Sequence, residues 1–149
     1  MARTVREIVQ GLARGVGATV AGVLVAGLTI AGVEWLGHRL YPPPAGLQAN
    51  DLEALAAHVA TMPIGALLFV LLAWLLGVFI GGLVAASLAG RRHRLYAGVV
   101  VAVILLGAIA NFAMIAHPAW FMALSVLALP LAGFAAASLA AARATAPSV

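Results

Sequence analysis

A chain of 149 residues that is 65% hydrophobic and only 8% charged cannot cover itself with polar surface, because soluble domains carry roughly 25% charged residues. Its formal net charge of +4 comes from Arg alone, with no Lys, and these residues stand at the edges of apolar blocks, which reads as membrane topology and argues against a nucleic-acid partner. Cysteine is absent, which excludes disulfides, thiol nucleophiles and Cys-ligated metals and leaves any metal or acid–base chemistry to His, Glu, Asp and Asn.

Arg3, Arg6 and Arg14 precede a charge-free run from Gly15 to Val33. The run is longer than the apolar region of a secretory signal, and no small-x-small cleavage pattern follows before Glu34 and Trp35. A retained first span over about residues 16–38 is expected. The connection over 39–62 opens with Tyr41 and the run Pro42, Pro43, Pro44, which favours extended polyproline II backbone. Within it a short helix over about 51–61 is predicted, with Asn50 as N-cap and Glu53 three residues later as the capping-box carboxylate. Leu52, Leu55, Ala56, Val59 and Met62 recur at helical spacing, so this amphipathic helix should lie on the membrane surface or cap the bundle.

Pro63 suits the first turn of a second span over about 63–89. Gly77 and Gly81 form a GxxxG pair in it, and Gly82 and Ala86 continue a row of small residues. Small side chains let helix backbones approach closely, which packs the bundle or builds a homo-oligomer interface. Trp74 falls near mid-bilayer, where its indole N–H needs an acceptor. After the RRHR run, a third span is expected over about 95–115 and a fourth over about 118–141. Pro130 interrupts the fourth, freeing the Val126 carbonyl and predicting a kink eased by Ser125. These segments are apolar on every face, without the alternation of a β-barrel, and only helices satisfy such a backbone within lipid.

Seven Arg residues fall on one side of the spans and only Arg39 on the other. This asymmetry places both termini and the RRHR loop in the cytoplasm. The expected fold is an all-α polytopic membrane protein, four transmembrane helices in an up-down-up-down bundle with one short amphipathic helix in the first outer loop. An Ala-, Gly- and Arg-rich chain without Lys points to a bacterial inner membrane.

That topology gathers polar residues at the outer end. Glu34 and His38 are four apart on one helix face, Asn111 lies about one turn from the end of the third span, and His117 and Trp120 begin the fourth. These five are the candidate ligand-binding residues. Glu34, His38, His58 and His117 are candidate metal ligands, because imidazole and carboxylate suit zinc, iron or copper. The plainer alternative pairs Glu34 with Arg39 or His38, uses Asn111 to tie two helices and His117 to cap one. Glu34 and His38 lack the HExxH zinc-protease spacing, and no GxxxxGK[ST], GxGxxG or GxSxG motif occurs, so a catalytic role is not expected.

In size and hydropathy the chain resembles small four-helix bacterial membrane proteins, small multidrug-resistance exporters among them. Those exporters carry a glutamate well inside the first helix, whereas Glu34 lies near the outer end and the outer loop is longer. The resemblance transfers no site residues. The function expected first is binding or translocation of a small or amphiphilic ligand through an outward-facing pocket, followed by a structural or assembly subunit of a membrane complex, then a membrane metalloprotein.

Overall fold

Four stretches rich in Ala, Leu, Val and Gly leave the backbone no partner in lipid but itself, and each winds into a helix long and apolar enough to cross a membrane. The computed structural model describes residues 4–146 as all-helical, with α1 Val5–Leu40, α2 Leu52–Thr61, α3 Ile64–Ala89, α4 His93–Met114 and α5 Ala119–Thr145. Arg3, counted above among the basic residues before the first span, lies outside the described residues.

The α1 helix begins at Val5, well before the charge-free run. Its first three turns interleave Val5, Ile8, Val9 and Leu12 with Arg6, Glu7, Gln10 and Arg14, residues that sustain a helix outside hydrocarbon as well as in it. At 36 residues and about 1.5 Å per residue it reaches about 54 Å, well beyond a hydrocarbon core of about 30 Å. The α2 cap is Asp51, not Asn50: the Asp51 side chain accepts from the Ala54 N–H at 3.0 Å. A charged carboxylate complements the helix N-terminus at least as well as an amide does, and the one-residue shift leaves Glu53 in the first turn without a capping-box role. No residue of α2 is fully buried, although Val59 and the adjoining Met62 rest against the main core.

Helix α3 is the hub, packing against α1, α4 and α5, while α4 and α5 pack on each other and α1 meets α4 along a narrower seam. Apolar on all faces, α3 turns most of its surface to these neighbours and leaves a stripe of Leu68, Leu72, Ile80 and Leu88 exposed. Between α1 and α3 the contacts pair Arg14 with Leu88, Gly22 with Gly81, Ile30 with Gly77, Gly37 with Phe69, and Tyr41 with Gly65.

At the crossing, backbone meets backbone: a Cβ on Gly22 would stand 2.7 Å from the Gly81 carbonyl oxygen and 2.6 Å from Ala85 Cβ. Gly77 faces α1 in the same way, with the Ala26 carbonyl 3.0 Å from where its Cβ would be. Gly82 turns instead toward Ala97 of α4 and Ala136 of α5, and Ala86 joins Ala97, Ala137 and Ala140 in a cluster of methyl groups. The other half of the bundle is filled by Leu67, Leu71, Trp74, Val78, Phe121 and Leu129. Outside, Leu28, Leu127 and Leu131 are 74%, 68% and 69% exposed, a surface suited to lipid.

The C-terminal carbonyls of α3 are claimed one by one. Gly90 takes the left-handed conformation (φ 70°) and its N–H donates to Ser87, Arg14 Nε–H donates to Leu88 O at 2.8 Å, and His93 Nδ1–H donates to Ala86 O at 2.9 Å. Helix α5 runs on through Pro130, and Ser125 is fully buried. Its hydroxyl donates to the Phe121 carbonyl at 2.8 Å and not to Val126, because a helical serine reaches most readily the carbonyl four residues before it.

Candidate functional site

The pairing of α1 with α3 sets Glu34 opposite Trp74. Glu34 is half-buried, and Trp74 Nε1–H donates to its Oε1 over 3.3 Å, a long hydrogen bond. The acceptor that the Trp74 N–H needs is thus Glu34, for which the sequence had offered Arg39 or His38 as partners. His38, one turn further along α1, shares that helix face and lines the same cleft. Arg39 does not pair with Glu34: its guanidinium lies 4.7 Å from the Trp35 ring centroid, in cation–π geometry.

A cleft opens beside this carboxylate. Its volume is about 30 Å³, and Glu34, His38, Tyr41, Met62, Phe69 and Val70 contribute to its wall. Space of that size takes a water-sized group or two, at about 10–15 Å³ each. Tyr41 lies over Gly65, and the Phe69 ring edge sits 2.9 Å from where a Cβ on Gly37 would stand, so two glycines give the rings their places. The wall is mainly apolar and aromatic around one acid. That composition suits a small cationic head carrying apolar substituents, which a carboxylate attracts by charge and ring faces attract by their quadrupole.

Behind Glu34, Trp74 belongs to a stack of rings. Its centroid is 5.6 Å from Phe121 and 5.8 Å from Phe112, and Phe112 and Phe121 are themselves 6.0 Å apart, edge to face. His117 closes the stack, lying 5.5 Å from Phe121 in nearly parallel planes and 5.2 Å from Phe112, while its Nδ1–H donates to the Ile115 carbonyl at 2.7 Å. The histidine thus fixes the α4–α5 turn and presents its ring to aromatic neighbours.

Of the five candidate ligand-binding residues, Glu34 and His38 share the cleft, and the other three do not line it. Asn111 is exposed on α4, because Ala108 and Phe112 take the inward face and the residue before Phe112 is turned about 100° away. Trp120 is 41% exposed and meets Phe121 edge-on at 5.8 Å. Rings of α3, α4 and α5, joined to α1 through the Trp74–Glu34 hydrogen bond, therefore fill the space between Glu34 and the end of α4. His58 lines a separate shallow hollow between α2 and the loop at Pro44–Leu47. Among the described residues no three His, Asp or Glu side chains come together as metal ligands, so the set Glu34, His38, His58 and His117 is not assembled.

Sequence reasoning passed over Tyr41, Met62 and Phe69 as site residues; for Phe69 and Tyr41 the signal was indirect, in Gly37 and Gly65 opposite them in the helix pairing. No protein-family model, curated protein or solved structure matches this chain.

Proposed function

We propose that this is a small bacterial inner-membrane protein that binds or translocates a small or amphiphilic ligand with a cationic head, received in the cleft at Glu34. The observation that carries this reading is a half-buried carboxylate on the wall of an apolar, aromatic cleft, held by one neutral N–H donor and passed over by the nearby arginine. A carboxylate so placed has given up part of its hydration without gaining a cation, and a ligand ammonium restores the balance.

In this reading the bundle runs up-down-up-down with both termini cytoplasmic and the Glu34 cleft facing outward. The α1–α3 contacts support it, since residues ascending in α1 meet residues descending in α3, and the Arg asymmetry supplies the direction. Helix α2 then lies at the outer surface beside the cleft, with Met62 in its wall.

The test compares decylammonium with decanoate on the full chain in lipid nanodiscs. Decylammonium is expected to bind saturably, decanoate to bind at least about tenfold more weakly, and Glu34→Gln to lose the difference, because the amide keeps the shape and the acceptor for Trp74 while losing the charge. Equal binding of both amphiphiles, or an unaltered Glu34→Gln variant, refutes the reading. One observation favours a second reading, an assembly subunit: Gly17, Gly27 and Gly32 of α1 have nothing within 4 Å and offer a partner helix a close approach.

A further inference from the structure

The end of the bundle remote from Glu34 carries a second cleft of different chemistry. It has a volume of about 230 Å³, below the roughly 300–1,000 Å³ of pockets that enclose drug-sized ligands, and Gln10, Gly11, Arg14, Gly90, Arg91 and Tyr96 line it. Its wall is mostly polar, and no carboxylate contributes to it. The same end of the bundle also carries Arg6, Arg92, Arg94 and Arg143, against the single acid Glu7.

Both guanidinium groups in the wall lie down on glycine. Arg14 Nη2 is 2.8 Å from where a Cβ on Gly90 would stand, and Arg91 Nη2 is 2.8 Å from where a Cβ on Gly11 would stand. Arg14 is further oriented by its Nε–H bond to the Leu88 carbonyl, which leaves its two terminal amino groups for another acceptor. The two arginines come from different elements, α1 and the α3–α4 turn, and bracket one space.

Across the Tyr96 ring a second hollow begins, of about 280 Å³, lined by Leu12, Gly15, Val16, Thr19 and Val20 as well as Tyr96 itself. It is an apolar groove on the lipid side of α1, where Val16 and Val20 are 63% and 52% exposed. Of its two hydroxyls, that of Thr19 is spent on the Gly15 carbonyl at 3.0 Å, and that of Tyr96 lies over Gly15 on the side of the charged cleft. A charged receptacle and an apolar groove that share one tyrosine match the two parts of an amphiphile with an anionic head.

We propose that these two hollows form one site for an anionic phospholipid, its phosphodiester between Arg14 and Arg91 and an acyl chain along Val16 and Val20. Guanidinium forks match phosphate oxygens in geometry and charge. A zwitterionic lipid would bring its own ammonium into the same cationic surroundings, so the site discriminates by head group. The apolar groove favours a lipid over a soluble phosphate, which has no use for it.

The experiment uses the full chain in detergent micelles, with retained lipid read by native mass spectrometry and folding by helix content and melting. Dioleoylphosphatidylglycerol is expected to be retained about tenfold over dioleoylphosphatidylcholine. Arg91→Gln, which touches no helix cap, is expected to lower that preference about fivefold, and Val16→Trp, which fills the groove, to lower phosphatidylglycerol retention without melting the fold. Arg143→Gln makes the same charge change at the same end, three residues beyond the Ala140 methyl cluster, and should leave the preference intact. Equal losses from Arg91→Gln and Arg143→Gln would mean diffuse attraction to a basic surface and overturn the site. Displacement of the lipid by millimolar inorganic phosphate would assign the arginines to a soluble anion and overturn it as well.

Discussion

Between Ala86 and Ala140 the helices of this bundle meet through methyl groups and bare glycine backbone, whereas between Trp74 and Phe121 they meet through rings. The small-residue half gains dispersion contact by bringing backbones together, and its hollows lie at the surface around Gly90 and Tyr96. The aromatic half must fit rigid, flat side chains between helices, and the Glu34 cleft opens at its margin. Position along the helices thus sets how the bundle is held, by close backbones at one end and by rings at the other, and which chemistry the cleft at each end presents.

The sharpest way to break this contrast is at the rings. Phe121 is fully buried and touches Trp74, Phe112, His117 and Trp120. Phe121→Ala should cost about 3–5 kcal/mol, read by unfolding in mild detergent; a loss under about 1 kcal/mol would show an aromatic half that repacks freely. At the opposite extreme of size, Gly81→Leu drives a side chain into the backbone of α1 and should cost about 3 kcal/mol, the upper range for overpacking. A normal melting profile would mean that α1 does not cross α3 there. Trp74→Phe keeps a ring and removes the donor to Glu34, for a loss of about 1–2 kcal/mol. Smallest of all, Leu28→Ala on the outer face should change stability by about 0.5 kcal/mol or less, and a larger loss would reveal a partner lying on α1.

Much of the fold was legible because lipid imposes strict rules on a sequence. Four apolar blocks became four long helices, and Pro63 and Pro118 stand where α3 and α5 start. Less legible were features decided by competition between neighbours. Asn50 and Asp51 are both good caps, and only the folded helix shows which one is used. Asn111, a candidate ligand residue or helix tie by its polarity, is exposed, because Phe112 beside it has far more apolar surface to bury and one helix face cannot hold both. At the candidate site, the needs of Glu34 and Trp74 were visible singly, while their union depends on the register of α1 against α3, which the glycines set from a distance.

The most direct test of the account uses Trp74 as its own reporter. In a variant carrying Trp35→Phe and Trp120→Phe, Trp74 is the one remaining indole, and its N–H faces the carboxylate that the ligand is proposed to engage. Titration with decylammonium should shift its emission saturably, the shift should vanish in the added presence of Glu34→Gln, and decanoate should leave it unmoved. Emission that responds equally to both amphiphiles, or that responds without Glu34, would contradict the assignment of the cleft as a cation-receiving site.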